Sequence, residues 1–143
     1  MSRFDPVDPE FESRVRSSFD LQQVMKTIGA TLERVSPGEV HIRLPYRQDL
    51  TQQDGFVHAG IITTIVDSAC GYAAYSLMPA ASRVLTVEYK VNLLSPASGD
   101  FFVAIGTVKK PGRTLSICGG DVYAHKDGAE KLVATMLATM MRL

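Results

Sequence analysis

The sequence predicts an α+β domain in which one curled antiparallel sheet of about six strands wraps a single long central helix. Three observations predict it. Between Asp54 and Arg83 the only formally charged residue is Asp67, and apolar or small pairs recur at 61/62, 65/66, 69/70 and 73/74. Leu85, Val87, Tyr89, Val91 and Leu93 alternate with Thr86, Glu88, Lys90 and Asn92, the pattern of a half-buried strand. Beyond residue 95, turn signals at Ser98-Gly99-Asp100, Pro111-Gly112 and Lys126-Asp127-Gly128 cut the chain into segments near 101–109, 114–125 and 130–142. Connections that short make these strands antiparallel neighbours.

The remaining elements follow in chain order. Asp5-Pro6 and Asp8-Pro9 form an irregular leader, and Phe11 with Val15 begins a short helix. Leu21, Val24, Met25 and Ile28 repeat at helical spacing behind Asp20 as N-cap, with Gly29 as the stop. Residues 30–35 form a strand, Ser36-Pro37-Gly38-Glu39 a turn, and Val40, Ile42 and Leu44 the buried side of the next strand. Ile61 to Val66 is a run of β-branched residues with strand propensity. The four-residue period overrides it, because a strand would put Asp67 in line with Ile61 and Ile65. Gly119-Gly120 shifts the alternation of its strand and reads as a bulge.

Composition bounds the function. At 143 residues the chain is expected to be one domain over 1–143, with a leader and helical segment at 1–27 and the core at 28–143. A hydrophobic share of 45% and a charged share of 21% exclude a disordered chain. Fifteen basic residues balance fifteen acidic ones, so no nucleic-acid partner is expected. Cys70 and Cys118 stand far apart with no CxxC, which argues against a disulfide framework or a zinc site, and neither metal nor cofactor is expected. The opening MSRFDPVDPEFESR lacks the apolar core of a signal peptide, so a cytoplasmic protein is expected. The apolar stretch around Asp67 is a weak membrane-span signal. Asp67, Gly60, Gly71, Pro79 and the interspersed Ser and Thr residues argue for a helix buried in protein instead.

Asp67 is the informative residue. A carboxylate in the middle of an apolar helix is costly unless paired, by Thr63, Ser68 or a basic group elsewhere, or unless it serves chemistry. The second feature is the helix start, Gly55-Phe56-Val57-His58-Ala59-Gly60, whose small residues and free N–H groups suit a developing oxyanion. Ala59 and Asp67 are separated by roughly 12 Å along one helix, at about 1.5 Å per residue. Reacting atoms must come within about 3–3.5 Å. If both act in one reaction, a second subunit must bring its own Asp67 to the first subunit's helix start, through a twofold pairing of antiparallel helices.

With these residues in view, Gln52-Gln53-Asp54-Gly55-Phe56-Val57-His58-Ala59-Gly60 followed by Asp67 resembles the hotdog-fold thioesterases of the PaaI-like (phenylacetate-pathway) type. Thr86-Val87-Glu88, Leu94-Ser95-Pro96-Ala97 and Lys110-Pro111-Gly112-Arg113-Thr114 are similar to later segments of that family, so the resemblance spans about residues 20–143. It implies hydrolysis of acyl-CoA thioesters at a dimer interface, often in a tetramer, without a metal. Carried over by position, the Ala59 N–H, with Gly60, polarises the thioester carbonyl, and Asp67 of the other subunit acts as nucleophile or general base. Gln52 orients the carbonyl or the water, and Thr86 binds the attacking water. Ser95, Pro96 and Ala97, with Lys110, Gly112, Arg113 and Thr114, line the pantetheine and phosphate path. Two positions depart from the family pattern: Ala59 stands where the first Gly of His-Gly-Gly is usual, and Gln52 is paired with Asp67 where Gln is more often paired with Glu.

Other residues carry weaker expectations. His58 is a candidate base, but a histidine at a helix N-terminus is discouraged from charging, which favours a structural role. His41 and His125 are expected in solvent, and Cys70 as an inert core thiol. Phe56, Tyr72, Tyr75 and Met78 are candidates for an acyl pocket or for core. The expected substrate is an acyl-CoA with a medium-chain or aromatic acyl group. A hydratase using His58 with Asp49 or Asp54, and a non-catalytic acyl-CoA-binding protein, are the alternatives.

Overall fold

The computed structural model describes residues 2–143. Two helices, α1 (Phe11–Leu21) and α2 (Gln23–Ile28), precede strands β1 (Thr31–Ser36) and β2 (Glu39–Pro45). The long helix α3 (Ala59–Tyr75) follows, and then β3 (Val84–Leu93), β4 (Phe101–Lys110), β5 (Leu115–Lys126) and β6 (Ala129–Arg142). The strands make one sheet in the order β1-β2-β4-β5-β6-β3, antiparallel at every step. α3 packs across the inner face of the sheet, burying Ile62, Ile65, Val66, Ala69, Cys70 and Ala73 against Val40, Ile42, Ala104, Val122 and Ala138. The β-branched run is helical, as its period requires, because tertiary burial outweighs propensity. Among the described residues no helix is long and apolar enough to cross a membrane.

Two local expectations are corrected. Asp20 does not start a helix; it lies in the last turn of α1, and the chain breaks at Gln22, which is extended at φ −78°, ψ 103°. The physical reason is burial: Leu21 and Val24 are exposed, so the buried faces are Val15 and Phe19 on one helix and Met25 and Ile28 on the next. Gly29, at φ +78°, closes α2 as expected. Gly119-Gly120 is not a bulge, since the ladder runs evenly through Thr107–Gly119 and Gly106–Gly120. Gly120, with Gly106 opposite it, lacks a side chain because α3 needs the space, whereas a Cβ on Gly119 would meet the Lys109 side chain at 2.7 Å. A Cβ on Gly120 would lie 2.5 Å from the Val66 methyl, and one on Gly106 would lie 2.3 Å from the Ala69 carbonyl.

A real bulge sits in β3, between Thr86 and Glu88. Strict alternation would put Thr86 on the same face as Glu88. The extra residue, Val87, turns Thr86 inward over α3 and leaves Glu88 outward, where it accepts from the Thr139 hydroxyl. β3 is also an edge strand of ten residues, and Leu85, Val87, Tyr89 and Leu93 are each about half exposed. A long apolar edge of this kind is a template for pairing with another chain.

The close approach at Gly106 yields a test. Gly106→Ala forces α3 off the sheet and is expected to lower stability by about 1–3 kcal/mol. The check is a lower urea midpoint at an unchanged m-value.

Candidate active site

The segment before α3 is built to present one free amide. Gln52 folds it: its side-chain oxygen accepts from the Asp54 N–H at 2.6 Å and from the Phe56 N–H at 3.3 Å, and its backbone N–H reaches the Phe56 carbonyl. Gly55, at φ +84°, makes the turn that this requires. His58 is the N-cap of α3. Its Nδ1 accepts from the Gly60 N–H at 2.8 Å, while its carbonyl receives the N–H groups of Ile61 and Ile62. The ring therefore serves the helix as an acceptor, in agreement with a structural role. Gly60 is thereby removed as a free donor. Among the described residues the Ala59 N–H has no acceptor, so it is the unpaired amide of the first turn. Ala59 has an ordinary negative φ, and the change from Gly strains nothing.

This amide borders a cavity of about 400 Å³ lined by Gln52, Phe56, Ala59, Ser95, Pro96 and Ala97 among others. Six of the residues singled out in the sequence thus share one wall. The Gln52 amide nitrogen, unlike its oxygen, is free among the described residues.

Asp67 lies elsewhere. It borders a second cavity of about 360 Å³, with Ser18, Gln22, Ser68, Tyr72, Arg83 and Thr86 around it. The Thr86 hydroxyl donates to Asp67 Oδ1 at 2.7 Å. Thr63 is not its partner, because that hydroxyl bonds the Ala59 carbonyl; nor is Ser68, which donates to Gln22 Oε1 at 3.1 Å. Burial raises the Asp67 pKa above the usual aspartate value, and the Thr86 hydrogen bond only partly offsets this. The carboxyl group is poised nearer to neutrality, as a general base or nucleophile needs.

Lys110, Gly112, Arg113 and Thr114 are exposed on the hairpin joining β4 to β5. That hairpin is the length of β4, about 30 Å at roughly 3.3 Å per residue, from the Ser95–Ala97 cavity. Within one chain these two groups do not meet. His41 and His125 are not in solvent, contrary to expectation. Both are half-buried on the outer face of the sheet, His41 against Glu39 at 2.7 Å and His125 stacked on Phe101. Cys70 and Cys118 are buried free thiols, and burial pushes Cys118 up to about 12. Tyr72 is core, tilted against Phe19, yet it also lines the Asp67 cavity. Met78 is buried in the core alone. Gln22, Ser18 and Arg83 were not found by sequence reasoning, since no spacing links them to Asp67. Among the described residues no three His, Cys, Asp or Glu side chains gather as a metal site.

A helix enclosed by one curled antiparallel sheet, with a capped helix start and a half-buried carboxylate, defines a hotdog-fold thioester hydrolase. The chain belongs to the thioesterase superfamily, whose sequence profile matches residues 54–131. It is similar to a thioesterase family protein from Silicibacter pomeroyi, with 52% identity, coverage of 93% of this chain and 98% of that one, and a TM-score of 0.92. It is 30% identical to human acyl-coenzyme A thioesterase 13 over 73% of each chain. The PaaI protein of the Escherichia coli phenylacetic acid degradation operon shares the fold, with a TM-score of 0.82, 15% identity and 94% coverage of both chains.

The Asp67 environment yields a prediction with a defined sign. Its carboxyl carbon is expected to titrate by NMR above the ordinary aspartate range, and Thr86→Val should move the midpoint further up by removing a donor to the ionised form. A pKa higher in the folded than in the unfolded chain favours folding at low pH, and that contribution is lost as pH rises through the raised value. Asp67→Asn should therefore gain stability relative to wild type at pH 8 and not at pH 4.

Proposed function

We propose that the protein hydrolyses acyl-CoA thioesters, with medium-chain or aromatic acyl groups, at a site shared between two copies of the chain. The observation that carries this reading is that the free Ala59 amide and the raised-pKa Asp67 border separate cavities of one protomer. The exposed edge of β3 supplies the means to join them. When β3 pairs antiparallel with its twofold copy, the Val84–Thr86 end of one strand lies beside the Leu93 end of the other. Thr86 holds Asp67, and Leu93 borders the Ala59 cavity, so the pairing assembles one acid of each subunit with the other's helix start. The Lys110–Thr114 hairpin adjoins the Val84 end as well, since Leu115 and Leu85 both pair with Met141. The same symmetry brings it toward the partner's Ser95–Ala97 wall.

In this site the Ala59 N–H and the Gln52 amide polarise the thioester carbonyl, whose oxygen gains charge as the tetrahedral intermediate forms. Gly60 supports the turn and does not donate. Ionised Asp67, oriented by Thr86, takes a proton from water as the hydroxide adds to the carbonyl carbon. Collapse breaks the carbon–sulfur bond, releasing CoA thiolate and the free acid. Attack by the carboxylate itself reaches the same products through an anhydride. Incorporation of ¹⁸O into the Asp67 peptide after a single turnover in ¹⁸O-water identifies the anhydride route opened at the aspartyl carbonyl, because general-base hydrolysis labels only the product acid. Phe56, Ser95, Pro96 and Ala97 enclose the pantetheine arm, and Lys110 and Arg113 meet the phosphates, with Gly112 and Thr114 shaping the hairpin.

The outer face of the sheet carries an apolar row of Leu85, Met141 and Leu115, suited to packing two dimers into a tetramer. Two buried unpaired thiols fit a reducing, cytoplasmic compartment. Against the hydratase reading, the Asp49 carboxylate forks onto Arg47 and the His58 ring accepts from Gly60, which leaves Asp54 as that reading's remaining carboxylate.

A thiol-release assay tests the proposal. Asp67→Asn should lower kcat by about 10²–10⁴-fold with the fold intact, the usual range for loss of a positioned base. Unchanged turnover removes Asp67 from the mechanism, and binding without turnover in wild type makes the protein a carrier. Mixing Asp67→Asn with Ala59→Pro subunits should restore activity, since each heterodimer keeps one whole site. Verified heterodimers without activity overturn the shared site.

A further inference from the structure

The cavity beside Asp67 has a chemistry that hydrolysis alone does not require. Its wall carries hydrogen-bond donors that have no protein acceptor among the described residues. Arg83 lines it and makes no ion pair or side-chain hydrogen bond among the described residues; only its backbone is engaged, with Leu143. Gln22 is brought there by the break between α1 and α2. Ser68 uses its oxygen, and its amide nitrogen has no acceptor among the described residues. The Tyr75 hydroxyl likewise has none, whereas Tyr72 is paired with Ser18 at 3.2 Å.

Gln22 meets Ser68 beside Asp67, whereas Arg83 and Tyr75 lie further along the cavity. Arg83 precedes Thr86 by three positions, about 10 Å at roughly 3.3 Å per strand residue. Tyr75 follows Asp67 by eight, about 12 Å along the helix at roughly 1.5 Å per residue. A plain alkyl chain filling this space would strip water from every donor and return no acceptor. A carboxylate at the far end would receive Arg83 and the Tyr75 hydroxyl, the guanidinium foremost.

We propose that this cavity selects acyl groups ending in a carboxylate, that is, monothioesters of medium-length dicarboxylic acids, with Arg83 as the specificity-determining residue and the Tyr75 hydroxyl as its auxiliary donor. The inference rests on the acyl-CoA hydrolase reading for the identity of the thioester. Arg83 is exposed at the mouth, so the preference is screened by salt and shrinks as ionic strength rises.

The experiment compares suberyl-CoA, 8-hydroxyoctanoyl-CoA and octanoyl-CoA by kcat/KM in wild type, Arg83→Met and Arg83→Lys. Affinity of the corresponding non-hydrolysable ketone analogues is measured in parallel by calorimetry. Wild type is expected to favour the suberyl over the octanoyl compound by about tenfold in both measurements, the scale of one charge-assisted hydrogen bond. Arg83→Met should bring the ratio to about one, and Arg83→Lys should retain part of it. An octanoyl preference in wild type, a preference for the hydroxy compound over the suberyl one, or an equal loss of all three in Arg83→Met overturns the assignment. The last outcome would make Arg83 a contact to CoA. Loss of the hydrolase reading is separable, because the analogue affinities report the selectivity whether or not any thioester is cleaved.

Discussion

The structure turns on one contact, the hydrogen bond from the Thr86 hydroxyl to the half-buried Asp67 carboxyl group. Without a donor, a carboxylate in the apolar interior of α3 would protonate and lose its chemistry. With several donors it would be too stable an anion to accept a proton. A single hydroxyl leaves the pKa raised but the group titratable. That hydroxyl points inward only because β3 bulges at Val87, so a backbone irregularity in an edge strand sets the electrostatics of a helix residue.

The helix itself can lie close enough for this contact because the sheet beneath it lacks side chains at two points. Gly106 and Gly120 let the backbone of α3 and its Val66 and Cys70 side chains settle into the inner face. At the other end of α3 the same economy operates with hydrogen bonds. His58 consumes the Gly60 N–H, and its carbonyl consumes two more, so the positive end of the helix is narrowed to the Ala59 amide. The first turn is thus left with a single unpaired donor among the described residues.

Much of this was legible in the sequence. The four-residue period through Ile61–Ala74 overrode a β-branched run, and the anomalous Asp67 stood out because nothing else charged surrounds it. The alternation of Leu85–Leu93 gave the strand but hid its bulge, since a bulge changes facing without changing composition. Gly119-Gly120 misled for the converse reason. Two glycines signal missing side chains, and at Gly120 the cause was the helix packed on the sheet, which no local pattern reports. Gln22 and Arg83 could not be linked to Asp67, because a helix break and a strand start meet it only through folding.

By itself, then, the sequence determined the periodicities, the turns and the identity of the exceptional residues: local steric and solvation preferences act between near neighbours, and those are written in order along the chain. Tertiary structure alone decided which groups meet, that Thr86 rather than Thr63 or Ser68 satisfies Asp67, that Ala59 rather than Gly60 keeps its amide free, and that β3 is an edge. Hydrogen bonds and burial depend on distances between residues remote in sequence, and only the curled sheet with its enclosed helix sets those distances.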